Sequence, residues 1–214
     1  MEECVKEKLI ADARDFYRHG WLFGTSGNLS ARLDANAFVI TASGLDKGRL
    51  SPGDFIVCNA EGLACDGGTR RPSAETGIHA AIYRRLPDTG AIYHVHELHA
   101  ALCGNRDKKW TEFRGVEMIK GLDIWGEDVT AAVPIVENFS DLVELSSAVE
   151  MTLEEMMSAA TVPGMCWAPA INIRRHGFYT WGATPFEAKR HVETLAYLYQ
   201  YSWQVFCAGA GSSQ

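Results

Sequence analysis

The chain has 214 residues, 47% hydrophobic and 22% charged, and its 27 acidic against 20 basic side chains give a formal charge of −7. That size suits one domain with a substantial core, and the acidic balance argues against a partner held by nucleic-acid phosphates, so an anionic substrate requires a local positive device. No apolar run approaches the roughly 18 residues of a membrane span. The start lacks the basic-then-apolar order of a signal peptide, and six scattered cysteines without C-x-x-C pairs fit reduced thiols in a cytoplasmic protein.

In chain order, Val5, Leu9, Ile10, Ala13, Phe16 and Tyr17 recur at helical spacing and predict an amphipathic helix over 3–19. Gly24-Thr25-Ser26-Gly27-Asn28 reads as a tight polar turn. Short β-rich stretches follow at 29–33, 37–41 and 55–59. Pro72-Ser73-Ala74-Glu75 opens a second helix, with Ser73 as N-cap and Ile78, Ala81, Ile82 and Leu86 on one face. A buried strand is predicted over 91–96, then a helix, then a polar irregular region over 104–128 interrupted by Val116–Gly121. Residues 132–136 read as a strand, and Asp141-Leu142-Val143-Glu144 has the capping-box spacing of a helix reaching about residue 160. Stretches 169–175 and 178–181 suggest a hairpin with His176-Gly177 at its turn. Thr184-Pro185-Phe186-Glu187 starts the last long helix, which runs to about Phe206. Residues 1–207 are expected to form a single domain and 208–214 a small, polar, disordered tail. Strands in a meander with helices before, between and after predict a three-layer α/β/α domain around a central, largely antiparallel sheet.

The residue types that carry chemistry start with His94-Val95-His96. On a strand, positions i and i+2 share a face, so two imidazoles point together; a third from a distant element would complete a metal site with an open position. His176 is the candidate third ligand, and His99, which lies beyond the strand, is a weaker rival. Imidazole suits zinc without excluding manganese, iron or cobalt. Three segments could serve an anion: the 24–28 turn with Ser26, Gly27 and Asn28; Thr41-Ala42-Ser43-Gly44; and Ser73 at a helix start. Glycine admits close backbone approach, hydroxyls donate, and a helix start carries partial positive charge. Taken singly, each is more often a plain turn, and spacing alone does not show that they converge on one phosphate. Two carboxylates stand out as proton carriers: Glu75, in the first turn of its helix, and Glu117, whose apolar neighbours Val116, Met118 and Ile119 would favour a raised pKa if they enclosed it.

Taken in order, His94-Val95-His96, Glu117-Met118-Ile119-Lys120-Gly121, Val133-Pro134-Ile135-Val136-Glu137-Asn138 and the run from Arg174 to Gly182 closely resemble the methylthioribulose-1-phosphate dehydratases of the class II aldolase/adducin superfamily. Gly24 to Ser30, Thr41 to Gly44 and Pro72 to Thr76 resemble the superfamily's anion-binding segments. The likeness covers nearly the whole chain. It implies the same α/β/α fold and one zinc ion per subunit on His94, His96 and His176, near a subunit interface of a homotetramer. It also implies acid/base duty for Glu117, and for Glu75 by likeness to the aldolases, with Ser26, Gly27, Asn28, Ser43, Gly44 and Ser73 on a phosphate. The implied reaction is dehydration of 5-methylthioribulose 1-phosphate to 2,3-diketo-5-methylthiopentyl 1-phosphate in methionine salvage. A class II ketose 1-phosphate aldolase is the alternative, and a zinc-dependent interaction protein is a rival from another class. One departure is Glu97, where the dehydratases usually carry a small residue; on a continuing strand it would face away from the ligands.

Overall fold

The computed structural model describes residues 2–65, 67–126, 128–158 and 164–210. Helix α1 (Glu2–Arg18) buries Leu9, Ile10, Ala13 and Phe16 on the face that its spacing predicts. A meander of β1 (Asn28–Arg32), β2 (Ala37–Thr41) and β3 (Phe55–Asn59) leads to α2 (Thr76–Arg85). Then come β4 (Ala91–Val95), α3 (Leu98–Arg106), β5 (Trp110–Arg114), a 3₁₀ turn over Glu117–Leu122 and β6 (Thr130–Val136). The chain ends with α4 (Leu142–Ser158), β7 (Met165–Trp167), β8 (Ala170–Ile173), β9 (Gly177–Gly182) and α5 (Pro185–Ala210).

The strands join in the order β3-β2-β1-β4-β9-β8-β6-β5, with β7 also on β6. Pairing is antiparallel except where β6 meets β7 and β8. Strand alternation sorts side chains to two cores. Ala91, Tyr93 and Val95 of β4 join a cluster with α1, α3 and α5, while Ile92 joins one with α2 and α4. Helix α2 packs on α4, and α3 on α5, over opposite faces. The mixed, mostly antiparallel sheet with helical layers on both sides is the three-layer architecture expected. Among the described residues, no helix is long and apolar enough to cross a membrane, and no disulfide links the cysteines.

Several local expectations are corrected. Ser73 does not cap α2: the helix begins at Thr76 with Glu75 as N-cap, and Ser73 Oγ accepts from the Glu75 backbone N–H in the turn before it. Strand β5 lies in the region expected to be irregular; its exposed–buried alternation tucks Thr111 and Phe113 inward and leaves Trp110, Glu112 and Arg114 outside. Glu97 is not strand-borne. It caps α3, its side chain accepting from Ala100 N at 2.7 Å and pairing with His99 Nδ1 at 2.8 Å. A short capping residue can be replaced by this longer carboxylate because the first-turn N–H groups still find an acceptor. Helix α5 continues through Ala210, past the expected start of the tail; residues 211–214, and the expected end of α4 near residue 160, lie outside the described residues.

Candidate metal centre and adjoining polar cavity

Sheet register builds the centre. Asn28 of β1 pairs with His94 of β4, which pairs with Tyr179 of β9, so the three stand in one row. Strand alternation turns His94 to the side opposite Tyr93 and Val95, under α2 with Glu75 at its start. His96 follows the strand, and its N–H is fixed by Trp21 O at 2.9 Å. His176 arrives from the turn between β8 and β9. A Cβ on Gly177 would sit 2.2 Å from Val95 O, so glycine is what lets this turn press against β4.

The three Nε2 atoms converge: His94 to His96 is 3.0 Å, His96 to His176 is 3.0 Å and His94 to His176 is 3.4 Å. Tetrahedral ligands on a divalent ion, with bonds of about 2.0–2.1 Å, stand about 3.3 Å apart, so the triangle has the right size. Protonation fits as well. His94 Nδ1 donates to Phe178 O at 3.0 Å, and His176 Nδ1 lies 3.4 Å from Asn138 Oδ1, which leaves both Nε2 atoms as lone-pair donors. Burial drives the pKa of His94 well below the usual imidazole value and that of His96 to about 3, with neighbouring imidazoles adding to both. Neutral imidazoles meeting lone pair to lone pair repel unless a cation sits among them, so the donor set fits a divalent metal. His99 is not among the converging residues, being held by Glu97.

Glu75 borders this cluster, its carboxylate oxygens 3.5 Å from Nε2 of both His94 and His176. A buried chain of hydrogen bonds stands behind it. Asn28 Nδ2 donates to Glu75 Oε2 at 2.7 Å and to Ser73 Oγ at 3.1 Å. That orientation makes Asn28 Oδ1 the acceptor for His79 Nε2–H. His79 Nδ1 then accepts from Ser30 Oγ at 2.7 Å, whose oxygen accepts from Tyr83 OH at 2.9 Å. All donors run one way, toward the carboxylate, and such chains polarise cooperatively. His79 stays neutral because burial lowers its pKa to about 3. Tyr179 stacks on His94 at 4.0 Å between centroids, and burial, then the Glu75 charge, raise its pKa.

The three expected anion segments do meet. Ser43 N donates to Arg71 O at 3.0 Å, Ala42 bridges Pro72, and Asn28 reaches Ser73. Together they line a 230 Å³ cavity that includes Ser26, Gly27, Asn28, Ser43, Gly44, Ser73, Glu75 and His96. Gly27 is required there: φ is +68°, and an added Cβ would meet Leu22 Cδ2 at 2.2 Å and His94 O at 2.7 Å. Glu117 is elsewhere. It lines a separate 390 Å³ cleft with Val116, Ile119 and Lys120. Its side chain is 81% exposed and pairs with Lys120 at 2.6 Å, so the apolar neighbours do not enclose it. Lys47, buried at the cavity, and His79 were not singled out by sequence reasoning. For His79 a signal existed, its i+4 spacing from Glu75 on one helix face.

An α/β/α domain with three convergent imidazoles and a carboxylate beside a polar cradle is an architecture of class II aldolase type. Residues 7–203 match the family model described as the class II aldolase and adducin N-terminal domain. L-fuculose-1-phosphate aldolase from Thermus thermophilus superposes with a TM-score of 0.75 at 22% identity, covering 98% of this chain and 99% of that one. In sequence, the methylthioribulose-1-phosphate dehydratase of Persephonella marina is 38% identical over 189 residues, 86% of this chain and 82% of the relative. The protein of the same name from Microcystis aeruginosa is 37% identical over 197 residues, 90% and 92% of the two chains. The chain belongs to the class II aldolase/adducin family, in its methylthioribulose-1-phosphate dehydratase branch.

Proposed function

We propose that this protein is a zinc-dependent hydro-lyase of methionine salvage that converts 5-methylthioribulose 1-phosphate to 2,3-diketo-5-methylthiopentyl 1-phosphate. The observation that carries the reading is the convergence of His94, His96 and His176 beside Glu75. It occurs in a chain 38% identical to a relative bearing the dehydratase name. The three imidazoles would hold the ion, which when bound supplies electrophilic stabilisation of negative charge on substrate oxygens. The chain's own groups do the rest. A carboxylate, Glu75 or Glu117, takes the proton from C3, next to the C2 carbonyl. One of these acids then delivers a proton to the C4 hydroxyl, which leaves as water, and the resulting enol tautomerises to the 2,3-diketone. Asn28, fixed by His79, aims Glu75. Ser26, Gly27, Ser43, Gly44 and Ser73 hold the phosphate, and Asn28 borders it, so that the reacting carbons are oriented.

Glu117 lines a different cleft from the histidines, so its acid/base role needs a second copy of the chain to present it. A homotetramer with the centre near a subunit interface satisfies that need, and the cytoplasm is the expected compartment. The alternative is a ketose 1-phosphate aldolase, because cleavage also begins by stabilising charge on the same oxygens. Incubating metal-replete protein with 5-methylthioribulose 1-phosphate and following products by mass separates them. The proposal expects a species lighter than substrate by one water; dihydroxyacetone phosphate plus an aldehyde would replace it with the aldolase, and an inert protein would sink both.

A further inference from the structure

Lys47 is 2% exposed, yet it has no carboxylate partner within ion-pair distance among the described residues. Its Nζ donates to Thr25 O at 3.1 Å and Leu45 O at 3.0 Å. An ammonium carries three N–H donors, so one is left without a protein acceptor among those residues. Two carbonyl dipoles supply no countercharge, and a buried cation is costly unless paired. Burial accordingly depresses the Lys47 pKa, while the Asp46 and Glu75 charges oppose the shift from farther away. Lys47 is the sole Lys or Arg among the residues lining the 230 Å³ cavity, beside Ser26, Ser43, Gly44 and Ser73. His96 of the metal centre lines the same cavity as Lys47. In a chain of net charge −7, this is the local positive device that an anion would need.

We infer that Lys47 is the missing ion-pair partner of the substrate's phosphate, and that it makes the site select a phosphorylated ketose over the free sugar. The inference rests on the phosphorylated-substrate reading above. The two carbonyls hold the ammonium in place before the ligand arrives, so little reorganisation accompanies binding.

The test uses inorganic phosphate as probe on the full-length protein, reading the thermal midpoint against phosphate concentration. Wild type is expected to show a saturable upward shift. Lys47→Gln keeps donors for the carbonyls without the charge, and Lys47→Met removes both. Each should fold with an unliganded midpoint at or above wild type and bind phosphate at least about tenfold more weakly, the loss of one charge-assisted pair. With the phosphorylated ketose, KM should rise with kcat little changed. His176→Ala, which leaves the cradle intact, should keep the phosphate shift; failure of the metal reading is thereby separated from failure of this one. Undiminished phosphate binding by Lys47→Gln, or no saturable effect on wild type, would overturn the inference. A lowered midpoint with the phosphate shift retained would reduce Lys47 to a strut between two loops. Should both variants fail to fold, acetic anhydride labelling of wild type decides, with phosphate either protecting Lys47 or leaving its rate unchanged.

Discussion

His79 is fully buried, and burial takes its pKa from 6.5 to about 3. The unfolded chain gains a proton as pH falls through 6.5, whereas the folded chain does not until about 3. The stability tied to the neutral ring is therefore complete above 6.5 and is lost progressively as pH falls toward 3. Between pH 7.5 and 5.0 the linkage, RT ln(1 + 10^(6.5 − pH)), amounts to about 2 kcal/mol for this one ring. His79→Gln removes the titrating group while keeping a polar side chain beside Asn28. Urea unfolding followed by tryptophan fluorescence, with chelator present at each pH, measures the effect. His96 and His191 are also buried and shifted down, but both proteins contain them, so they cancel in the comparison. His94 is lowered mainly by burial, and the neighbouring His79 ring is the smallest of its causes, so most of its contribution cancels too. Wild type should lose about 2 kcal/mol more than the variant over that interval. Parallel pH profiles would refute the neutral, single-direction relay from Tyr83 to Glu75.

Four further outcomes follow from the same geometry. Gly27→Ala should lower stability by about 1–3 kcal/mol in chemical denaturation, since φ is +68° and the new Cβ would drive into Leu22 and the His94 carbonyl; a neutral effect would mean the turn relaxes freely. Glu75→Gln should retain metal but cut kcat by about 10²–10⁴-fold in a product-release-independent single-turnover assay, whereas unchanged chemistry would leave Glu75 with only a structural place. Glu117→Gln should cause a comparable loss with fold and metal intact, and mixed oligomers with His176→Ala should regain part of the activity; near-normal turnover would strip Glu117 of its role. Asn138→Ala should weaken metal binding by about tenfold or more in chelator competition by releasing the His176 ring, and equal affinity would show that Asn138 does not orient it.

Patterns that depend on local period were readable in the sequence. The i, i+2 relation of His94 and His96, the helical spacing of Leu9, Ala13 and Phe16, and the Thr-Pro-x-Glu start at Thr184 all describe one element at a time. Strand β5 also had a period-2 signal in Thr111 and Phe113, masked by the density of charge around it. What escaped depends on contacts between elements. Nothing in Asp46-Lys47-Gly48 marks a buried lysine; its burial comes from the Thr25 and Leu45 carbonyls closing around it. Val116, Met118 and Ile119 suggested an enclosed Glu117, but in the 3₁₀ turn its side chain points outward while Ile119 and Leu122 turn to the core. Glu97 looked like a departure at the ligands and instead serves the start of α3.

X-ray absorption at the metal edge of the purified protein tests the central claim most directly, that three imidazoles meet on one divalent ion. The account predicts about one ion per chain with three nitrogen ligands at about 2.0–2.1 Å and the remainder oxygen, and loss of that ion in His94→Ala and His176→Ala with the fold retained. A sulfur-ligated ion, or one that stays bound after either substitution, would contradict it.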